Sequence, residues 1–283
     1  MTTTSADGHV TGTELERYRQ DGYMTVADVF SPSKFEALRS HFERRLAALP
    51  DGARPEDMDV PHFTDPELFD WLLDPRVLDI AEQIVGPDIA LFSAHFFCKP
   101  AGDGKGVPWH EDAYYWRETI APSSEAITLW LAIDPAVEGN GCMQVIPGSH
   151  LERDRLYQEL TDRTSVFDEA LDPSEVDTSQ AVALELEPNQ CSVHAASLVH
   201  GSAPNRSRMR RCGFTMRYIS TAVRFNHEEV GDRHQIYLAR GADRAGNVYA
   251  DPTVPNYELM DRRGNTQNYL GARQVGGARP GSG

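Results

Sequence analysis

The sequence predicts a mainly β, α+β protein in which a sandwich or barrel core follows an N-terminal layer of helices. Short runs rich in β-branched and aromatic residues, separated by Gly, Pro and Asn, fill residues 88–225. Before position 87, apolar residues recur at helical spacing instead. The length of 283 residues suffices for one domain with a substantial core. We therefore expect a single domain over residues 1–283.

The N-terminal part is expected to begin with a flexible tail over residues 1–11, followed by a helical layer over 12–87. Ser31 is a good N-cap residue and Pro32 is tolerated in a first helical turn, so a helix should begin there. In chain order, the patterns of this layer predict a helix over 13–20, a strand over 23–30, a helix over 31–50, and two short helices over 65–73 and 75–85.

The core region is expected to supply the strands, and a charged insertion over residues 151–180 of mixed helix and loop character interrupts it. Residues 226–283 form a C-terminal extension in which the periodicity weakens, and 273–283 reads as a flexible end. The predicted strands are 89–99, 107–112, 127–133, 142–146, 181–186, 191–194, 198–200 and 212–223.

Composition excludes several classes of function. The net charge of −16 argues against nucleic-acid and anionic-membrane partners, because both require clustered Lys and Arg. No apolar run is long enough for a membrane-spanning helix, and the N-terminus lacks the features of a secretory signal. The four cysteines show no C-x-x-C spacing, which favours reduced thiols and a cytoplasmic location.

The most informative motif is His110-Glu-Asp112. On an extended strand residues i and i+2 face the same side, so the imidazole and the Asp112 carboxylate should converge while Glu111 points away. A second histidine from a neighbouring strand would complete a two-His, one-carboxylate set, the pattern of non-haem Fe(II) sites that activate O₂. From the residues alone, the candidates for that third ligand are His200, His95, His150 and His194.

A buried arginine is expected near this site. An alternating strand follows His200, and a turn at 203–205 would fold it back beside that histidine. A buried guanidinium needs an anionic partner, and its planar fork suits a carboxylate. A dicarboxylate that chelates the metal at one end and meets the arginine at the other satisfies both demands. The spacing alone does not show whether Arg210 or Arg211 is the arginine near the metal.

The chain resembles the phytanoyl-CoA dioxygenase family of Fe(II)/2-oxoglutarate oxygenases. The resemblance runs in the family's order over about residues 90–220, and the stretch from Asp21 to Leu38 also looks like that family's opening. The matching segments are His95–Pro100, Val107–Asp112, Ile127–Ile133, Asn140–His150 and Leu198–Ser207.

The resemblance implies a double-stranded β-helix (jelly-roll, cupin-like) core with the N-terminal helices packed on one sheet. It implies Fe(II) bound by His110, Asp112 and His200, with 2-oxoglutarate and O₂ as co-substrates. The implied 2-oxoglutarate contacts are Arg211, Ser202, Thr128, Lys99 and Trp130. Lys99 also has a physical argument, because a lysine on an apolar strand is costly unless it meets an anion, although it could instead reach solvent from the strand end.

The reaction implied by the resemblance is oxidative decarboxylation of 2-oxoglutarate to succinate and CO₂, coupled to hydroxylation of an unactivated C–H. Related halogenases replace the carboxylate ligand with a small residue, so Asp112 disfavours halogenation. The expected substrate is a small molecule, either a secondary-metabolite intermediate or an amino-acid derivative, because we see no extended basic patch for the phosphates of a CoA ester. The expected substrate contacts are Phe96, Tyr115 and Trp116, and core packing is the alternative for the 113–116 segment.

Three alternatives stay open. The same iron chemistry can end in desaturation, epimerisation, cyclisation or peroxide formation. A cupin-type metal enzyme usually shows His-x-His followed by Glu, which differs from the His-Glu-Asp order here. A cupin-like binding protein could keep the barrel without the chemistry. The chain is expected to act as a monomer or a homodimer.

Overall fold

The computed structural model describes residues 10–152, 154–160, 167 and 169–259. Its strands are β1 (Tyr23–Val26), β2 (Ile89–Lys99), β3 (Val107–His110), β4 (Ile120–Ala121), β5 (Ile127–Ala132), β6 (Met143–Val145), β7 (Tyr157–Glu159), β8 (Glu169–Leu171), β9 (Val182–Leu184), β10 (Cys191–Ala195), β11 (His200–Ser202), β12 (Arg211–Ser220), β13 (Arg224–Phe225) and β14 (Tyr237–Arg240). Its α-helices are α1 (Gly12–Asp21), α2 (Pro32–Ala47), α3 (Phe69–Leu72), α4 (Pro75–Val85), α5 (Asp112–Trp116) and α6 (His227–Val230).

Two antiparallel sheets form the core. The larger sheet has the order β1-β10-β5-β12-β2-β14, and the smaller has the order β3-β11-β6-β9. Strands distant in sequence lie side by side in both, as in a jelly roll, and the predicted mainly β fold with a jelly-roll core is confirmed. The strand β12 lies between β5 and β2, so its inward-facing side chains occupy the middle of the larger sheet.

The helical layer packs on the outer face of the larger sheet, as predicted. Ser31 caps α2 by accepting a hydrogen bond from the backbone N–H of Lys34 at 3.4 Å. On the face of α2 that meets the sheet, Leu38 and Phe42 are fully buried. The Phe42 ring lies 5.1 Å from the ring of Phe96 on β2. This contact fixes which side of β2 faces the helices, and therefore which side faces the interior of the jelly roll.

The predicted strand over residues 107–112 is too long at its end. The strand β3 stops at His110, and Asp112 is the first residue of the short helix α5. Glu111 between them keeps extended dihedral angles (φ −115°, ψ 128°), so the side chains on either side of it still project to the same side. The predicted convergence of His110 and Asp112 survives although its assumed strand does not.

The insertion over residues 151–180 was predicted as mixed helix and loop, but it contains the antiparallel hairpin β7–β8. Polar and charged residues such as Gln158 and Glu159 occupy this ribbon and conceal the alternation that predicts a strand. Arg153 and residues 161–166 of the insertion lie outside the described residues. So do most of the predicted N-terminal tail, residues 1–9, and the predicted flexible end, 273–283.

The C-terminal extension contributes to the larger sheet. After β13 and α6 the chain returns as β14, which pairs with β2 at the sheet edge. Within the described part of the chain, no helix is long and apolar enough to cross a membrane. Cys98, Cys142, Cys191 and Cys212 are buried and unpaired.

Candidate metal centre

Three potential metal ligands meet between the two sheets. His110 at the end of β3 and His200 at the start of β11 are direct partners in the smaller sheet. Asp112 reaches the same point from the first turn of α5. The ligand atoms of the three side chains lie within 4.8 Å of one another, and all three residues are buried. His110 Nε2 and Asp112 Oδ1 are 3.6 Å apart.

Backbone carbonyl groups fix the orientation of both imidazoles. Nδ1 of His110 donates to the carbonyl oxygen of Pro108 at 2.8 Å, and Nδ1 of His200 donates to that of Leu198 at 2.9 Å. With the proton on Nδ1, the Nε2 lone pair of each ring is available to a metal. Two neutral imidazoles and one carboxylate on one side of an ion fit Fe(II) with open positions. The donor set therefore suits the predicted iron.

The charges of these groups also suit a metal. Burial alone would raise the pKa of Asp112, but the adjoining His110 and the nearby His200 and Arg217 outweigh burial and hold that pKa below its usual value. The hydroxyl of Thr128 donates to Asp112 Oδ2 at 3.1 Å. Burial and the neighbouring His110 lower the pKa of His200 well below its ordinary value. The carboxylate is therefore ionised and His200 is neutral, as metal binding requires.

The other candidate histidines lie elsewhere or outside the cluster. His95 Nδ1 faces Asp59 at 3.0 Å, and His150 Nε2 faces the carbonyl oxygen of Arg19 at 3.2 Å. His194 is closer, with Nε2 at 3.9 Å from Asp112 Oδ2, and neither of its ring nitrogens has a hydrogen-bond partner among the described residues. Among the described residues, the group whose atoms could jointly hold a metal contains His200 and none of these three.

A cavity with about 470 Å³ of empty space adjoins the three side chains. Its wall includes Arg211 and Ser202. The Arg211 guanidinium donates to the carbonyl oxygen of Gly141 at 2.9 and 3.1 Å and approaches Ser202 Oγ at 3.5 Å. Burial lowers the pKa of Arg211 to about 10, so it remains charged at neutral pH.

Arg210 has a different environment from its neighbour. Its guanidinium is paired with Glu43 at 2.6 Å and with Asp134 at 2.7 Å, on the side of the sheet that faces α2. Arg211 has no carboxylate within ion-pair distance among the described residues. Of these two neighbours, Arg211 is the one in the cavity wall, because the alternation along β12 turns Arg210 to the other side of the sheet.

Lys99 stands behind the cavity wall. Its Nζ donates to Ser202 Oγ at 2.7 Å and to the carbonyl oxygen of Ala203 at 2.6 Å. Burial, followed by repulsion from Arg211, lowers the pKa of Lys99 to about 6. Lys99 does not reach solvent as one interpretation supposed, and its contact with the cavity runs through Ser202.

Thr128 and Trp130 lie in the cavity wall on β5. The Trp130 ring rests above Gly213, where an added Cβ would stand 2.1 Å from the ring, and the Arg211 guanidinium lies 5.2 Å from the ring centroid. Only glycine leaves space for the indole at that position of β12. The five predicted 2-oxoglutarate contacts are thus brought to one region, four in the wall and Lys99 behind it.

The predicted substrate contacts are placed differently. Phe96 is fully buried on the outer face of β2, stacked on Phe214, so it faces the helices and not the cavity. The predicted contact Phe96 is therefore wrong by one position. Neighbouring side chains of a strand face opposite sides, and Phe97 lies in the cavity wall. Tyr115 packs against His110 and Phe167 and donates to the carbonyl oxygen of Glu169 at 2.7 Å.

Trp116 is buried in a second apolar cluster beside the site, with its ring 5.2 Å from Phe92. Neither Tyr115 nor Trp116 contributes to the cavity wall. Sequence reasoning missed Arg217 and Phe167, which do, and named His194, which also does, only as an alternative metal ligand. For Arg217 a signal existed, since Arg211, Thr215 and Arg217 share one face of an alternating strand.

A jelly roll with a buried two-His, one-carboxylate cluster, and with an arginine in the adjoining cavity, defines the class of non-haem Fe(II)/2-oxoglutarate-dependent oxygenases. A family model described as phytanoyl-CoA dioxygenase (PhyH) matches residues 18–213, more than half of the chain, and the chain belongs to this family. It is an Fe(II)/2-oxoglutarate-dependent oxygenase, with iron as its metal and 2-oxoglutarate and O₂ as co-substrates.

A curated relative and two solved structures are also similar to this chain, and the two structures support the fold. An ectoine dioxygenase from Bordetella parapertussis is 26% identical over 242 residues, which cover 77% of this chain and 78% of the relative. The apo form of ThoJ, a non-heme monooxygenase, superimposes with a TM-score of 0.68 at 23% identity, covering 87% of this chain and 91% of that one. The epimerase SnoN, solved with Fe³⁺, alpha ketoglutarate and nogalamycin RO, gives a TM-score of 0.63 at 21% identity, covering 76% and 85%.

Proposed function

We propose that this oxygenase hydroxylates an unactivated C–H of a small molecule while 2-oxoglutarate is converted to succinate and CO₂. The observation that carries the proposal is the buried cluster of His110, Asp112 and His200 beside a cavity whose wall holds Arg211. Bound iron, together with 2-oxoglutarate, supplies the activation of O₂ and the removal of hydrogen from the substrate.

The roles of the three ligands follow from their contacts. His110 and His200 offer Nε2 because their Nδ1 protons are held by backbone carbonyls. Asp112 offers its carboxylate, and Thr128 holds one oxygen of it by a hydrogen bond. Because each ligand is fixed by a second contact, little ordering remains to be done when the metal binds.

The 2-oxoglutarate contacts follow from the same wall. Arg211 is the cation that meets the distal carboxylate, and the Ser202 hydroxyl lies 3.5 Å from its guanidinium. Trp130 closes one side of this pocket. Lys99 acts as a positioning residue, because it holds Ser202 from behind.

The substrate we propose is a secondary-metabolite intermediate or an amino-acid derivative. The cavity wall combines aromatic side chains such as Phe97 and Trp130 with a few polar groups, as the walls of small-molecule sites do. The sequence shows no extended basic patch for the phosphates of an acyl-CoA, which favours a free small molecule. One relative is named ectoine dioxygenase, and this name indicates a small-molecule substrate for that relative.

An anaerobic titration tests the proposal. Adding Fe(II) and 2-oxoglutarate should produce a weak visible charge-transfer band, which Asp112→Ala and His200→Ala should abolish. Glu111→Ala is the matched control, because this neighbouring carboxylate faces Tyr157 instead of the cluster. A band that persists in both ligand variants would contradict the assignment. A band without any succinate formation in air would indicate the non-catalytic binding protein.

The outcome of the reaction is tested separately, with substrate candidates that stimulate succinate release. Under ¹⁸O₂, hydroxylation places one labelled oxygen atom in the product. Desaturation, epimerisation or cyclisation places none there, and a peroxide carries two. A product without label would replace hydroxylation by one of these alternatives while leaving the iron and 2-oxoglutarate assignment intact.

A further inference from the structure

A second buried arginine, Arg217, lies in the wall of the same cavity. It stands six residues after Arg211 on the same face of β12, so the two Cα atoms are about 20 Å apart along the strand. Arg217 is 6% exposed. Its one hydrogen bond in the described structure is a long contact of 3.4 Å from Nη1 to Ser93 Oγ, and its Nε has no partner.

The environment of Arg217 differs from that of several half-buried arginines. Arg45, Arg210 and Arg240 each contact a carboxylate at 2.8 Å or less. No carboxylate oxygen among the described residues lies within ion-pair distance of Arg217. A buried guanidinium without an anion carries a large desolvation cost, so an anion supplied from outside the chain would stabilise it.

The two acids whose charges act on Arg217 are engaged elsewhere. Asp59 faces His95 Nδ1 at 3.0 Å. Asp112 accepts a hydrogen bond from Thr128 and belongs to the metal cluster. The negative charges of both acids lower the free-energy cost of burying Arg217, but neither acid forms a hydrogen bond with it. Its donors on Nε and Nη2 therefore remain available to a ligand.

Arg217 also lies at the metal end of the cavity. Thr128, which holds Asp112, is its direct partner across β5 and β12. Arg211, with Ser202, lies at the other end of β12. A 2-oxoglutarate molecule that runs from the metal to Arg211 therefore extends away from Arg217. The side of the metal next to Arg217 is left for the second substrate.

The charges of the site with Fe(II) and 2-oxoglutarate bound also favour an anionic substrate. Fe(II), Arg211 and Arg217 bring four positive charges, whereas Asp112 and the 2-oxoglutarate dianion bring three negative charges. Within the cavity one positive charge is left over with Lys99 neutral, and a protonated Lys99 increases this surplus. Asp59, which lies outside the cavity wall and faces His95, reduces the surplus through space without contacting Arg217. A buried site with net positive charge is stabilised by one further anion and not by a cation or a neutral molecule.

We propose that the substrate of this oxygenase is a small organic anion whose carboxylate, phosphonate or sulfonate group is bound by Arg217. This inference rests on the proposed function and names the chemical class of its substrate. The ring of Trp116 lies 5.4 Å from the Arg217 guanidinium and supports it from beneath. Trp116 thus becomes a positioning residue for Arg217 instead of a substrate contact.

Matched acids and amides test the proposal on the holoenzyme with Fe(II) and 2-oxoglutarate bound under anaerobic conditions. The probes are hexanoate, phenylacetate, hexylphosphonate and hexanesulfonate, with hexanamide and phenylacetamide as neutral counterparts. Binding is read from the change of the iron–2-oxoglutarate band and from calorimetry. We expect each acid to bind at least tenfold more tightly than its amide, and the difference to fall below threefold in Arg217→Met.

Two further variants keep the test informative. Arg217→Lys should retain part of the preference, because it keeps the charge but loses the planar fork. Arg224→Met, an exposed arginine on β13, should keep all of it. Melting temperatures check that each variant is folded.

Equal binding of acids and amides, or no binding of any acid, would overturn the inference. So would a weaker affinity of Arg217→Met for 2-oxoglutarate with the acid preference intact, since Arg217 would then be a co-substrate contact. If the wild-type protein forms no band with Fe(II) and 2-oxoglutarate, the proposed function itself fails, and this is seen before any probe is added.

Discussion

Two neighbouring arginines show that a shift of one position along a strand changes which side of the sheet a side chain faces. Arg210 and Arg211 are chemically identical, but consecutive side chains of β12 face opposite sides of the sheet. Arg210 therefore meets Glu43 and Asp134 near the helical layer, and Arg211 meets Gly141 and the cavity. The same parity separates Phe96 in the core from Phe97 in the cavity wall.

Arg211→Met is predicted to weaken 2-oxoglutarate binding by about 10- to 100-fold, because a charge-assisted pair with a carboxylate contributes about 1.5–3 kcal/mol. Titration of the visible band measures the dissociation constant. Arg210→Met is the matched control and should change it less than threefold, since its partners lie outside the cavity. The opposite ranking of the two variants would mean that Arg210 holds the co-substrate.

The lowered pKa of Lys99 leads us to expect that the affinity for 2-oxoglutarate depends on pH. In the free protein its pKa is lowered to about 6, by burial first and by Arg211 second. A bound dianion beside Arg211 favours the protonated lysine, so the pKa of Lys99 rises in the complex and binding takes up a proton. The affinity for 2-oxoglutarate should therefore fall as pH rises from 6 to 8, by at most about tenfold per pH unit.

The variant Lys99→Met checks this origin. It removes the titrating group, so its dissociation constant for 2-oxoglutarate should be nearly flat over the same pH range. Calorimetry in buffers of different ionisation enthalpy should detect proton uptake at pH 7 in the wild type and not in the variant. Equal pH profiles for both proteins would show that another group is responsible.

At the scale of secondary-structure elements, β12 organises both halves of the site. Its inward face presents Arg211, Gly213, Thr215 and Arg217 in alternation. Gly213 leaves the space that the Trp130 ring of β5 occupies. The strand therefore sets the distance between the two arginines and shapes the wall between them.

Gly213→Ala is predicted to destabilise the protein by about 1–3 kcal/mol, because the new Cβ would stand 2.1 Å from the Trp130 ring. The displaced indole lies next to Arg211, so affinity for 2-oxoglutarate should fall as well. Thermal melting and titration of the visible band measure the two effects. Gly139→Ala is the control, since a Cβ there meets nothing within 4 Å. Unchanged values for Gly213→Ala would show that Trp130 is not held by this contact.

The elements also show what sequence reasoning can reach. The strand β2 and the helix α4 agree with their predicted bounds because each has an uninterrupted pattern between clear turn signals. The start of α5 at Asp112 was missed because five residues are too few to show helical periodicity. The hairpin β7–β8 was missed because each of its strands has three residues, which are too few to show alternation.

The parts of the site that could be predicted from the sequence are those whose residues lie close together in the chain. His110 and Asp112 are two residues apart, and their convergence needs only an extended Glu111. Alternation along β12 places Arg217 on the same face as Arg211, but its burial depends on packing between β5, β2 and α5, which brings Thr128, Ser93 and Trp116 around it. Such long-range contacts leave no mark in the local pattern.

On the scale of the whole molecule, the larger sheet separates stability from chemistry. Its outer face packs against α2 and α4 in the main apolar core, and its inner face lines the cavity. Phe42 on α2, Phe96 on β2 and Phe214 on β12 form a continuous stack on the outer face. Changes on that face should therefore alter folding and leave the contacts of the ligands unchanged.

Phe42→Ala tests this separation. Removing a fully buried phenylalanine leaves a cavity beneath α2 and should cost about 3–5 kcal/mol of stability, because the lost contacts with Phe96 are not replaced. The melting temperature should fall accordingly. At a temperature where the variant is still folded, its dissociation constant for 2-oxoglutarate should stay within about twofold of the wild-type value, since the sheet lies between Phe42 and Arg211. Leu151→Ala, at an exposed position, is the control for both measurements and should change neither. A folded Phe42→Ala protein that has lost 2-oxoglutarate affinity would mean that the sheet transmits changes in the helical layer to the cavity.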